Sequence, residues 1–254
     1  MKTVRFLLLV LLLALPFNGY SQRNLYGDVN GDGEVTIADV NAVIAVILGG
    51  TDPMPPDEDG DWVDLGLPSG TIWATRNVGA SAPEDYGDYF AWGETEPKDI
   101  YKWSTYKWGG YDSNGNIYLT KYNTVSSYGI VDNKIELDAS DDAACAYYPG
   151  GCMPSLEQIY ELVNSCSWQW TQCNGVNGQL VTGPNGNTMF LPAAGCRWYD
   201  SLDGAGLYGN YWSRTLLSYS TYYAYGLYFN SGYWNFMEYY DRFAGFPVRA
   251  VRVP

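Results

Sequence analysis

The feature that most limits the fold is the scarcity of long amphipathic segments in residues 62–254. One run, "PSLEQIYELVNSC" (Pro154 to Cys166), has clear helical periodicity. Ser155 and Gln158 have the spacing of a capping box, in which each side chain caps the other residue's backbone N–H. The apolar residues of this run recur on one face, as an amphipathic helix requires: Leu156, Ile159, Leu162, Val163 and Cys166. We therefore predict one well-defined helix here.

The rest of this region consists of short aromatic segments separated by Gly, Asn and Pro. Examples are "TIWATRNVG", "DYFAWGE", "NTMFLPAAG", "YAYGLYFNSG" and "FPVRAVRV". Such segments are typical of strands and irregular loops. One or two helices on short antiparallel strands with long loops make an α+β domain, and the region is long enough to bury a substantial core.

The N-terminus predicts a secretory signal peptide, residues 1–21. Lys2 and Arg5 precede an apolar run, Phe6 to Leu15, which is followed by Pro16 and the small-residue end "NGYS". The apolar run has about ten residues, whereas a membrane-spanning helix needs about 20. We therefore expect cleavage, no membrane span afterwards, and export to the periplasm, the cell surface or the extracellular medium.

The chain is strongly acidic. It has 28 acidic and 14 basic residues, a net charge of −14, and loss of the two basic signal-peptide residues gives 12 − 28 = −16. Residues 51–61, "TDPMPPDEDGD", combine prolines with acids and predict an extended, self-repelling linker. A surface of this charge repels phosphate backbones and attracts cations, so we expect no nucleic-acid partner.

Histidine is absent. Its absence excludes Ser-His-Asp and Cys-His nucleophiles, His-bound zinc and a histidine general base. Hydrolysis by a carboxylate pair remains open, with Glu84, Asp85, Glu94 and Glu96 as the acids, although a solvated loop is the favoured explanation of these residues. The five cysteines are an odd number, so at least one has no intramolecular disulfide partner.

Residues 28–39, "DVNGDGEVTIAD", have the spacing of an EF-hand-like calcium loop. Gly33 stands at position 6, where the loop turns sharply, and oxygen ligands fall at positions 1, 3, 5, 7, 9 and 12. These ligands are Asp28, Asn30, Asp32, Glu34 through its backbone carbonyl, Thr36 and Asp39. Carboxylates mixed with neutral oxygens suit a hard cation, so the sequence predicts a Ca²⁺ site. The alternative is an acidic turn without a metal.

The calcium loop is followed by a short predicted helix with one apolar face, which Gly49 and Gly50 end. Residues 22–50 resemble one repeat of a type I dockerin, the module that docks cellulosomal enzymes onto cohesins. The resemblance implies a cohesin-like partner. Two features depart from the family: the second repeat is missing, and Ile37 and Ala38 stand where hydroxyl or charged residues select the cohesin. We therefore expect a folded stem or a weak association module.

Residues 62–254 resemble the Fibrobacter succinogenes major paralogous domain. The marks are "WVDLGLPSGTIWATRNVG", "YKWSTYKW", "LTKYN", "MPSLEQIYELVNSCSWQWT", "VTGPNGNTMFLPAAG" and "PVRAV". This family is related to the formylglycine-generating-enzyme branch of the C-type-lectin-like fold. The resemblance implies a compact α+β domain with paired terminal strands and a loop-built ligand face, without an established activity. The related oxidases need a cysteine pair near the C-terminus, whereas Cys196 is the last cysteine here and stands alone.

The segment 208–240 has the composition of a binding surface, with ten tyrosines, two tryptophans, three asparagines and four serines. Tyrosine supplies a large contact area at small entropic cost, Ser and Asn supply adaptable hydrogen bonds, and flat aromatic faces stack on sugars. We predict these residues as exposed ligand contacts: Tyr222, Tyr223, Trp234, Asn235, Tyr239 and Tyr240. We expect these residues in the core instead: Trp212, Leu227, Phe229 and Phe246.

Three functions compete at this stage. The favoured one is a non-catalytic, secreted or surface-exposed protein whose lectin-like domain binds a glycan or a protein. The second is an accessory component of polysaccharide degradation that docks through the calcium module. The third is a glycoside hydrolase that uses the loop acids, whose surroundings in the sequence favour a solvated loop.

Overall fold

The computed structural model describes residues 61–253, except for the side chains of residues 233–237. These residues lie in the second of the two units into which the chain divides, Pro53–Pro254. The predicted signal peptide, the calcium module and residues 51–60 of the predicted linker lie outside the described residues. Within 61–253, no helix combines the length and the apolar character needed to cross a membrane.

The described residues contain two α-helices and many short strands. The helices are α1 (Ala143–Tyr147) and α2 (Leu156–Ser165). The strands are β1 (Trp62–Asp64), β2 (Ile72–Ala74), β3 (Gly109–Tyr111), β4 (Ile117–Leu119), β5 (Ser167–Cys173), β6 (Val176–Thr182), β7 (Thr188–Pro192), β8 (Cys196–Trp198), β9 (Ser201–Asp203), β10 (Tyr208–Leu216), β11 (Tyr223–Asn230), β12 (Tyr233–Asp241) and β13 (Val251–Arg252). Short 3-10 turns occur at Trp103–Thr105, Ser126–Tyr128 and Ala139–Asp141.

The strands form small antiparallel sheets with the orders β1-β2-β13, β5-β6-β7 and β10-β11-β12, together with the pairs β3-β4 and β8-β9. Strand β13 pairs with β2, so that Val251 lies opposite Trp73 and Arg252 opposite Ile72. The first and last described strands, β1 and β13, therefore lie in one sheet on either side of β2 and do not pair with each other, contrary to our expectation. Small antiparallel sheets with two described helices are consistent with an α+β class and equally with a mostly-β class.

Helix α2 forms where the sequence predicts it. The Ser155 hydroxyl accepts from the Gln158 N–H at 3.2 Å, and the Gln158 side chain accepts from the Ser155 N–H at 2.8 Å, so the predicted capping box is confirmed. Ile159 and Leu162 are buried and Leu156 is partly buried. The amphipathic stripe therefore packs helix α2 onto the core, as its periodicity indicates.

The core is strongly aromatic. Trp212 is fully buried, stacks on Phe246 with 4.2 Å between ring centroids, and donates its indole N–H to the Phe90 carbonyl at 2.8 Å. Leu227 and Phe229 are also buried. The prediction that Trp212, Leu227, Phe229 and Phe246 belong to the core is confirmed.

Arg249 is a buried cation that binds neutral oxygens. Its guanidinium donates to the Asn77 side-chain oxygen at 2.9 Å and to the carbonyls of Ala74 and Phe190 at 3.0 Å each. Burial lowers the pKa of Arg249 to about 10. Because Ala74 ends β2 and Phe190 lies in β7, this side chain joins two separate sheets.

Candidate ligand-binding face

The hairpin of β11 and β12 carries an open face at the end where β11 begins and β12 ends. In its register Tyr223 lies opposite Asp241, and Tyr225 lies opposite Tyr239. Directly opposed residues of antiparallel strands point to the same side, and residues two apart on one strand share that side. These three tyrosines and Asp241 therefore lie on one face of the sheet.

The intervening pair, Ala224 and Tyr240, points to the opposite face. The Tyr240 ring lies 4.9 Å from that of Phe246 and 6.5 Å from that of Trp212, measured between centroids. Burial raises the pKa of the Tyr240 hydroxyl above its usual range. Tyr240 is therefore partly buried against the core rather than exposed as we expected, because strand alternation separates it from its neighbour Tyr239.

A row of tyrosine rings extends from this hairpin onto the adjoining loops. Ring centroids lie 5.1 Å apart for Tyr128 and Tyr222, 4.4 Å for Tyr222 and Tyr223, and 5.3 Å for Tyr223 and Tyr239. Tyr239 is 51% exposed, and the others are partly buried. We call the set Tyr128, Tyr222, Tyr223, Tyr225 and Tyr239 the tyrosine face. It brings together three of the predicted contacts, Tyr222, Tyr223 and Tyr239.

Two loops that carry this row are bound directly to each other. The Thr221 hydroxyl donates to the Asn123 side-chain oxygen at 2.6 Å, and the Thr124 hydroxyl donates to the Ser218 carbonyl. Thr221 precedes Tyr222, and the loop that begins at Asn123 leads to Tyr128. These hydrogen bonds fix the loop of Tyr128 against the turn before β11, which places the Tyr128 ring beside Tyr222.

Arg242 binds the same two loops from the buried side. This fully buried guanidinium donates to the Tyr106 hydroxyl at 2.9 Å and to the carbonyls of Thr221 at 2.8 Å, Tyr122 at 3.1 Å and Lys121 at 3.1 Å. Its hydrogen bonds span the segment before Tyr128 and the turn that carries Tyr222. The tyrosine face is therefore held by a buried side chain adjacent in sequence to Asp241.

Asp241 is the acid of this face. Its carboxylate is partly buried and has neither a hydrogen bond nor an ion pair within residues 61–253, and burial raises its pKa to about 6. Other buried acids are bound: Asp141 pairs with Lys121 at 2.5 Å, and Asp142 accepts the Met153 N–H at 2.8 Å. An acid without partners is costly to bury, so it is a candidate for recognising a ligand.

The other predicted contacts are not brought to this face by the described residues. The side chains of Trp234 and Asn235 lie outside the described residues. The backbone of Trp234 pairs with Phe229 near the tip of the hairpin, about 17 Å along the strand from Tyr239. Composition did not reveal Tyr128 or Asp241. Because side chains alternate between the two faces of a strand, a predicted β12 would have placed Asp241 on the same face as Tyr239. No feature of the neighbouring sequence identifies Tyr128.

All six predicted calcium ligands also lie outside the described residues: Asp28, Asn30, Asp32, Glu34, Thr36 and Asp39. Within 61–253, no group of three or more acidic or cysteine side chains is arranged to hold a metal ion. The Ca²⁺ site of the N-terminal module stays a prediction.

Three of the loop acids have structural partners. Glu94 forms an ion pair with Lys98 at 2.8 Å, Glu84 accepts from Asn174 at 2.6 Å, and Asp85 accepts the Ala82 N–H at 2.9 Å. Asp85 and Glu94 therefore support their own loops, and Glu84 binds the turn between β5 and β6.

The five cysteines are free thiols in this structure: Cys145, Cys152, Cys166, Cys173 and Cys196. Burial raises the pKa of Cys145 and of Cys166 to about 11. These two thiols are therefore protonated at neutral pH and are poor nucleophiles.

No protein-family model, curated protein or solved structure matches this chain.

Proposed function

We propose that residues 62–254 form a non-catalytic, C-type-lectin-like domain of an exported protein, which binds a glycan through the tyrosine face. The observation that carries the proposal is the continuous row of tyrosine rings with Asp241, a carboxylate without a partner among the described residues, at its edge. The sheet that contains β1, β2 and β13 supports the lectin-like assignment, because that fold brings its terminal strands together.

Chemistry favours a sugar over a protein as the ligand. A sugar has apolar C–H faces that stack on aromatic rings and polar groups at its edge that donate hydrogen bonds. The tyrosine face offers rings in contact with one another, hydroxyls at their rims and one acceptor carboxylate. Residues 222–225 and 238–241 contain no Arg, which is enriched in protein interfaces alongside aromatic residues.

Loss of one exposed ring is expected to weaken glycan binding. Tyr239→Ala removes the most exposed ring of the face, and we expect at least a tenfold loss of affinity, which is about 1.4 kcal/mol. The measurement is a glycan array followed by calorimetric titration of the best glycan. The matched control is Tyr111→Ala, since Tyr111 is 58% exposed on a different hairpin. An array without any bound glycan, or equal losses in both variants, would contradict the proposal and point to a protein ligand.

We also propose that the N-terminal module binds Ca²⁺ and serves as a folded stem for the binding domain. Calorimetric titration of the full chain with Ca²⁺ is expected to show binding heat that Asp28→Ala and Asp39→Ala each abolish, because each removes a ligand charge. Asp57→Ala removes an equal charge from the linker and is expected to leave the heat unchanged. Undiminished heat in both loop variants would refute the ligand assignment.

A further inference from the structure

The tyrosine face ends in a negative charge that no described cation neutralises. Arg242 follows Asp241 in the chain, but its side chain is fully buried and bound to four oxygens on the inner side. The nearby Lys121 ammonium is held by Asp138 at 2.7 Å and Asp141 at 2.5 Å. Residues 222–225 and 238–241, the strand ends that carry this face, contain no Lys, Arg, Asn or Gln. The carboxylate is therefore available to accept from a ligand that displaces its water.

Tyrosine rings surround the same position. Tyr223 lies directly across the sheet from Asp241, and Tyr239 lies two residues before it on the same face. Tyr222 lies 4.4 Å from Tyr223 between ring centroids, and Tyr128 continues the row. Aromatic faces carry negative charge density and attract ammonium groups, most strongly when the site is partly desolvated. Carboxylate and rings thus favour the same kind of ligand group.

We propose that Asp241 and the rings of Tyr222, Tyr223 and Tyr239 form a subsite for the ammonium group of an amine-bearing sugar. This inference rests on the proposed glycan-binding function and specifies its ligand class. The sugar ring stacks on the tyrosines while its ammonium group pairs with the Asp241 carboxylate. A neutral glycan stacks and donates a hydrogen bond to the carboxylate, whereas a protonated amino sugar also neutralises the buried charge. The acidic chain, with a net charge of −14, further favours approach of a cation.

The pH dependence has a defined sign. Because burial raises the pKa of Asp241 to about 6, its carboxylate is charged at neutral pH and becomes protonated as the pH falls through that value. The titratable group opposite it in the sheet is the Tyr223 hydroxyl, which interacts electrostatically with Asp241 and whose pKa burial raises. Acidification increases protonation of the ligand's amine, which by itself would strengthen pairing with a carboxylate. A loss of affinity toward pH 5 therefore reports on the carboxylate.

The test compares two ligands that differ only at nitrogen: an oligomer of glucosamine and an N-acetylglucosamine oligomer of equal length. Titrations use the full chain at about pH 7. We expect the wild type to bind the amine form at least tenfold more tightly, which is about 1.4 kcal/mol. Asp241→Asn is expected to abolish this preference, because it weakens binding of the amine form at least tenfold more than binding of the acetylated form. Lowering the pH to about 5 is expected to weaken binding of the amine form more than binding of the acetylated form.

The control for overall charge is Asp99→Asn, which removes one exposed carboxylate elsewhere and is expected to keep the preference. Thermal unfolding checks that Asp241→Asn is folded. Tyr223→Leu is an independent variant that keeps apolar packing but removes the ring, and we expect it to reduce the preference severalfold.

Several outcomes would overturn the inference. They are equal binding of the two oligomers by the wild type, a preference that survives in Asp241→Asn, a preference undiminished in Tyr223→Leu, and a preference lost equally in Asp99→Asn. If the wild type binds neutral glycans on the array but shows no preference for the amine, only the amine subsite is refuted. If it binds no glycan at all, the proposed function fails as well.

Discussion

Replacing Arg242 with Met is expected to destabilise the domain by about 3–5 kcal/mol, because each buried oxygen that loses its donor costs about 1–3 kcal/mol and removal of the buried charge offsets part of this sum. Four acceptors lose their donor: the Tyr106 hydroxyl and the carbonyls of Lys121, Tyr122 and Thr221. Met fills part of the volume but donates no hydrogen bond, so the three carbonyls lose this donor and the Tyr106 hydroxyl keeps its own bond to the Trp92 carbonyl. Urea unfolding of the full chain measures the difference, followed through the tryptophan fluorescence of the domain.

The same substitution is expected to reduce glycan binding in the protein that remains folded. Thr221 positions Tyr222, and its carbonyl is one of the Arg242 acceptors, so the tyrosine face loses part of its support. The control is Arg76→Met, which breaks a partly exposed ion pair with Asp61 and should cost about 1 kcal/mol or less. Losses of similar size in both variants would show that Arg242 has no special anchoring role.

The second large effect is expected for Trp212→Ala, at about 3–5 kcal/mol. The substitution removes the ring that stacks on Phe246 at 4.2 Å and leaves the Phe90 carbonyl without its indole donor. Because Trp212 is fully buried between the β10-β11-β12 sheet and the core, the cavity has no direct access to solvent. Denaturant unfolding measures the loss.

Trp212→Phe separates the two contributions. It restores most of the aromatic packing but not the hydrogen bond, so an intermediate loss of about 1–2 kcal/mol is expected. The exposed control Tyr111→Ala should change stability by about 0.5 kcal/mol or less. A Trp212→Ala variant as stable as this control would contradict the assignment of Trp212 to the core.

Sequence predicts those parts of the structure that depend on interactions between residues close together in the chain. The capping box of α2 involves residues three apart, so Ser155 and Gln158 predict it directly. Tyr240 differs from Tyr239 only in the side of β12 to which it points, and composition does not encode that side. Tyr128 reaches the site through loop contacts to the distant Thr221 turn, which depend on the completed fold. The side chains of the candidate site therefore follow from register and loop packing more than from residue type.

The pairing of β2 with β13 has a consequence for the order of assembly. During synthesis, which starts at the N-terminus, Trp62 of β1 and Trp73 of β2 are made early. Their sheet gains its third strand only when Val251 and Arg252 have been made. Contacts so distant in sequence form slowly, because loop closure must precede them. Until β13 is available, β2 has an unpaired edge that can accept a strand from another molecule. Strand β13 therefore protects this edge. The time before it pairs is the interval in which association with other molecules competes with folding.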